Sequence, residues 1–165
     1  RWSGVVIILA GMVMCPSSPR PVLMIAEDAR NVGAIDGAGE LHVASRRSAR
    51  FTVNQWREGF AIRPEIRELP SFACGEAICP IPAVGLKASY TETLEATAEA
   101  CRSADIVIAR LWDSQGLEES CAARLFTAES VAASGPVFVF RRGQAISVRE
   151  GRPLRGQRPW VPPPS

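Results

Sequence analysis

Histidine and lysine are nearly missing from this chain: His42 and Lys87 stand alone, so eighteen of the nineteen basic residues are arginine. A single imidazole excludes a zinc site built mainly from histidine, since catalytic zinc takes three protein ligands and structural zinc four. The arginine skew reads as codon bias of a GC-rich genome rather than as recognition chemistry. No phosphate-binding loop, dinucleotide fingerprint, GxSxG elbow or HExxH helix occurs, which removes the familiar nucleotide-binding, hydrolase and metalloprotease signatures. A Ser-His-Asp triad would have to run through His42, and nothing places a nucleophile on a strained turn. The net charge of +2 over 165 residues announces no polyanion partner at the level of the whole chain. Five cysteines are present, but none is spaced CxxC, so neither a zinc knuckle nor a thioredoxin-type redox pair is written here.

What is there begins with an apolar run. The first residue is Arg1 rather than Met, so the chain is read as cut from something longer. Gly4 to Cys15 carries no charge and shows no polar face at helical spacing. The run is too short to span a bilayer by itself and lacks a small-x-small cleavage site. It reads as the end of a truncated transmembrane helix over residues 1–15, with a buried soluble helix as the alternative. Pro16, Pro19 and Pro21 stop it and start an extended exit.

Residues 16–150 have the length and composition of one domain with a core of its own. "VLMIA" reads as a strand, and "NVGAID" and "ELHVAS" as two more around the Asp36-Gly37 turn. His42 alternates with Leu41 and Val43 and so faces away from them, as a lone surface or half-buried histidine. Phe51, Trp56 and Phe60 recur at helical spacing in "RFTVNQWREGF", a short helix with its aromatics expected in the core. Residues 61–83 read as irregular, and "AVGLKAS" as a strand. Ser89 with Glu92 reads as a capping box opening a helix that places Leu94, Ala98 and Cys101 on one face. "ADIVIARL" is a buried strand and "ARLFT" a short one. Thr127 caps "AESVAASG", and "PVFVF" with "AISVRE" forms a closing hairpin.

Cys74 and Cys79 flank a Gly-containing loop short enough to bring their Cα atoms within bridging distance. Cys101 ends a helix, and Cys121 lies beyond the next strand and loop, which suggests a second clasp. Cys15 is left over in the apolar stub. Such bridges persist only in an oxidising space, and other pairings of the four stay open from sequence. The tail, 151–165, is rich in Pro and Arg and reads as extended. From Arg141 onward six arginines face Glu150 alone, so Arg141, Arg142, Arg152, Arg155 and Arg158 are candidate DNA-phosphate contacts, or a solvated basic terminus.

Taken in order, "PRPVLMIAEDARNVGAIDGAGELHV", "RFTVNQWREGF", "CGEAIC", "ACRSADIVIARL", "CAARLFTAESVAASGPVFVFRRGQ" and the closing "RPW" resemble the C-terminal region of the ComEC family. These are polytopic inner-membrane proteins of DNA uptake in natural competence, and the likeness is closest to alphaproteobacterial members. The resemblance covers nearly the whole chain and rests on the ordered set, not on one motif. It implies a periplasmic domain of metallo-β-lactamase-like type, shortened and degenerate, at the inner membrane. Intact relatives carry an HxHxDH metal motif; this chain has none, so no metal, cofactor or catalytic residue transfers.

The expected fold is therefore α+β, a small mixed or antiparallel sheet with two or three helices. The expected role is a non-catalytic periplasmic domain that buttresses a DNA-uptake channel. Its partners would be DNA through the parent channel, the inner membrane and the upstream membrane region of the same polypeptide. Two rival roles are a divergent metal-dependent nuclease or phosphodiesterase using Asp28, Asp36 and other carboxylates, and a membrane-tethered protein-interaction domain unrelated to DNA.

Overall fold

The computed structural model describes residues 19–45, 50–62, 70–75, 77–114 and 116–152. The expected helix end over 1–15, and Arg155 and Arg158 in the tail, lie outside these residues. Among the described residues no helix is long and apolar enough to cross a membrane.

The chain runs β1 (Pro21–Ile25), β2 (Val32–Ile35), β3 (Leu41–Val43), α1 (Arg50–Phe60), β4 (Ile78–Ile81) and β5 (Ala88–Thr91). It continues α2 (Leu94–Ala100), β6 (Ile106–Ala109), α3 (Leu117–Ser120), β7 (Arg124–Thr127), α4 (Ala128–Ser134), β8 (Val137–Arg142) and β9 (Ala145–Glu150). The fold is α+β. Its strands form two sheets: an antiparallel one in the order β3-β2-β1-β8-β9, and a mixed one in the order β4-β5-β6-β7. In the second, β4 is antiparallel to β5, while β5, β6 and β7 run parallel and are joined through α2 and α3. Four helices stand among the described residues against the two or three read from the sequence, α3 being a single turn.

The two sheets stack face to face, and period-two alternation decides what each strand contributes. Leu23 and Ile25 of β1, Val137 and Val139 of β8, and Ile106 and Ile108 of β6 meet in one shared core. The residues between them point the other way. Met24 joins Val53 and Trp56 of α1 on the outer face of the first sheet, with Phe138 packed against that group. Val107 joins Ala100, Cys101 and Ala123 on the outer face of the second. Both faces of β1 and β6 are thus covered, which is why "VLMI" and "IVIA" read as unbroken apolar runs. Gly33 in β2 lets α1 sit close: a Cβ there would lie 2.8 Å from Trp56 Cζ3.

Several local expectations shift. Ser89 is not a helix cap; it lies in β5, paired with Pro80 on one side and Val107 on the other. Burial of Tyr90 and Thr91 between the neighbouring strands keeps the chain extended past the expected helix start. The cap is Thr93, whose side chain accepts from Ala96 N at 3.3 Å. The buried face of α2 is consequently Ala96, Thr97 and Ala100 rather than Leu94, Ala98 and Cys101, although Cys101 itself is buried. The strand expected over "AVGLKAS" starts only at Ala88. The segment 61–83 is not wholly irregular, since it contains β4, and around Pro70 it covers the edge of β3: Val43 N donates to Pro70 O and Phe72 N to Val43 O. Phe51 is 75% exposed rather than in the core, while Trp56 is buried as expected. Thr127 does cap α4, accepting from Ser130 N while Ser130 Oγ accepts from Thr127 N, a reciprocal capping box.

Candidate functional site

Two disulfides join Cys74 to Cys79 and Cys101 to Cys121, with Cα separations of 4.0 and 5.0 Å. The first closes the turn that leads into β4. The second ties the end of α2 to the segment after α3 and sits in the small apolar cluster outside the mixed sheet. Disulfides of this kind persist outside the reducing cytosol, so the domain is extracytoplasmic, periplasmic or secreted.

The β2–β3 hairpin gathers Asp36, Glu40 and His42, whose ligand atoms lie within 4.8 Å of one another. Asp36 Oδ1 accepts from Ala38 N and Glu40 N, both at 2.9 Å, and Oδ2 meets His42 Nε2 at 3.0 Å. The Glu40 backbone N–H, with His42 and Ala38 adding to it, holds the Asp36 carboxyl below its ordinary pKa. This is turn chemistry. Its carboxylate oxygens are committed to the hairpin, and one histidine cannot reproduce an HxHxDH donor set, so a zinc of that type does not fit. The strand expectation that turned His42 away from Leu41 and Val43 also explains how it reaches Asp36: it is half-buried and opposite Ala34.

Asp28 is likewise engaged. Its Oδ1 accepts from Arg30 N at 3.0 Å and Asn31 N at 3.1 Å, and Oδ2 accepts from Asn31 Nδ2 at 2.9 Å. These bonds shape the β1–β2 loop, where buried Ala29 adopts a positive φ of 49°. Asp28 and Asp36 sit in separate turns, each occupied with its own backbone.

Of the arginines expected at DNA, the described ones, Arg141, Arg142 and Arg152, do not form one cluster. Arg141 and Arg142 lie at the turn end of the β8–β9 hairpin, where Arg142 is exposed and the Arg141 guanidinium rests against Gly85. Arg152 follows the other end of the hairpin, beside Gly135. Five strand steps separate the two groups, roughly 17 Å. Between them Arg149 stacks over Phe140 at 4.9 Å, and Arg124 approaches Glu150 at 3.9 Å.

Two clefts meet at the β1–β2 loop, with Glu27 and Asp28 lining both. One, about 460 Å³, opens at the carboxyl ends of the parallel strands, where ligands of open α/β sheets commonly bind. It is lined by Arg30, Arg110, Ala128 and Trp112, the last 68% exposed. Arg110 pairs with Glu92 at 3.0 Å, and the Tyr90 hydroxyl donates to Glu92 at 3.4 Å. Burial, together with the Glu92 charge, pushes the Tyr90 hydroxyl pKa up, so it stays a proton donor at neutral pH. The other cleft, about 660 Å³, runs between the loop and α1 over Trp56, Phe60 and Phe138. The sequence reading passed over both. The only local signal was an Arg and a Trp directly after the buried "IVIA" strand. These surfaces offer carboxylates, guanidinium groups and exposed rings. The chain matches no protein-family model, no curated protein and no solved structure.

Proposed function

We propose that this chain is a non-catalytic domain of a ComEC-like DNA-uptake protein, a degenerate metallo-β-lactamase-like unit on the periplasmic side of the inner membrane. One observation carries the reading. The segments whose order resembles that region belong to a domain closed by two disulfides, and its sole histidine is bonded to Asp36 in a hairpin turn. In this role the stacked sheets buttress the channel mouth formed by the upstream membrane region. Arg142, exposed on the turn, and the other arginines of the last hairpin and tail touch passing phosphates.

The test is purified chain with labelled single- and double-stranded DNA, in titrations over salt, and with Mg²⁺, Mn²⁺ or Zn²⁺ for turnover. The expected result is no cleavage and weak, salt-sensitive binding, with Arg142→Ala reducing the slope of log K against log salt by about one. Cleavage abolished by a chelator would overturn the reading in favour of a metal-dependent nuclease. Absence of DNA binding at low salt would instead point to a protein-interaction domain.

A further inference from the structure

Each sheet ends in two edge strands, and three of the four are blunted. β3 is three residues long and is covered by the segment around Pro70, β4 carries Pro80, and β7 has only four residues. β9 is six residues long, holds no proline and is mostly exposed. Its ladder to β8 fixes which way its backbone points. Gly151 N donates to Pro136 O at 2.8 Å, so these two form a hydrogen-bonded pair, and in an antiparallel ladder such pairs alternate. Phe138–Arg149, Phe140–Ser147 and Arg142–Ala145 are therefore the bonded pairs, the last closing the two-residue turn at Gly143-Gln144. Ile146, Val148 and Glu150 turn their N–H and C=O groups outward, and among the described residues no backbone group meets them. The charged side chains of β9 do not guard this edge. Arg149 lies back over the Phe140 ring at 4.9 Å, and Glu150 reaches toward Arg124 of β7 at 3.9 Å.

We propose that β9 is a docking edge for an extended segment of another protein, which adds antiparallel as a sixth strand and alternates apolar with acidic residues. The two faces of β9 set that alternation. Ile146, 46% exposed, and half-buried Val148 lie on the face toward the second sheet. Arg149, with Arg142 of β8, lies on the outer face. The side chains of an added strand fall on the same two faces, so the partner offers apolar groups to the first pair and carboxylates to the second. Charge argues against a second copy as the occupant. The hairpin and its exit carry Arg141, Arg142, Arg149 and Arg152 against Glu150 alone, and two such edges would repel. The docking edge stands apart from the DNA-uptake reading, because its outward carbonyls need donors and a phosphodiester offers none.

The probe is a synthetic peptide of alternating valine and glutamate, titrated to about 1 mM against the full chain, with amide hydrogen exchange followed by NMR. Exchange at Ile146, Val148 and Glu150 is expected to slow by about tenfold or more, while Ser147 and Arg149, already bonded to β8, stay unchanged. Directly opposed residues share a face, so the peptide's valines make the bonds. N-methylation at the valines is expected to abolish the protection, and N-methylation at the glutamates to leave it. Ile146→Pro removes an outward N–H without touching the ladder to β8, and should abolish it too. No slowing at the three amides, or slowing that survives valine N-methylation, overturns the proposal. Slowing that grows with chain concentration in the absence of peptide also overturns it, since a second copy would then hold the edge. So does equal protection of these amides by single-stranded DNA.

Discussion

The Cys101–Cys121 bridge should be the larger of the two covalent contributions to stability, and the difference follows from loop length. It closes a sequence separation of 20, against 5 for Cys74–Cys79. The entropy removed from the unfolded chain grows with the logarithm of the loop, which gives about 3 kcal/mol for the longer bridge and about 2 kcal/mol for the shorter. Cys101 is also buried with Ala100, Val107 and Ala123, so Cys101→Ala/Cys121→Ala loses packing as well as the cross-link. For a chain of this size each kcal/mol moves the melting temperature by roughly 2–4 °C. The Cys101→Ala/Cys121→Ala variant should therefore melt roughly 6–12 °C below wild type, and Cys74→Ala/Cys79→Ala roughly 4–8 °C below. Circular dichroism melts of the three proteins, without reductant, measure this directly. Together the bridges are worth about 5 kcal/mol, comparable to the whole stability of a marginal domain, so reductant should bring wild type close to unfolding. A larger loss from the short bridge, or a wild-type melt indifferent to reductant, would refute the reasoning.

Peptide mapping of unreduced protein should recover the linked pairs Cys74–Cys79 and Cys101–Cys121. Gly33→Ala should destabilise by about 1–3 kcal/mol in denaturant titration, because the added methyl would meet Trp56 Cζ3 at 2.8 Å and Leu41 Cδ1 at 3.2 Å. Thr127→Ala removes the cap of α4 and should cost about 1 kcal/mol by the same assay. Asp36 has a folded pKa below its unfolded one, so its contribution is full above the unfolded value and is lost as pH falls through the folded value. Acid titration of stability should accordingly fall less steeply below about pH 4 in Asp36→Asn than in wild type, while the variant is the less stable of the two at neutral pH.

Much of the local structure was legible because it depends on neighbours along the chain. The Asp36-Gly37 turn, the strand alternation that sets His42 opposite Leu41 and Val43, the Thr127 cap and the hairpin from Val137 to Glu150 are each decided within a few residues. Ser89 was misread for the complementary reason. Its four-residue pattern suits a cap, but pairing with β6, nearly twenty residues away, holds it in a strand and passes the role to Thr93. Phe51 shows the same limit, since helical spacing marks a possible apolar face but not the side on which the sheet will lie.

The amino-acid sequence by itself determined most of the strands, the Thr127 cap, the short cysteine loop and the want of imidazole ligands, because these rest on backbone preference, side-chain period and composition. Only the tertiary structure decided that the strands divide into two stacked sheets, that Asp28 and Asp36 spend their oxygens on separate turns, and that Arg141 and Arg152 stand at opposite ends of a hairpin. It also made the two clefts at the β1–β2 loop. The stacking of the sheets and the clefts need residues far apart in the chain to meet, and a contact across space leaves no period and no spacing in the chain that makes it.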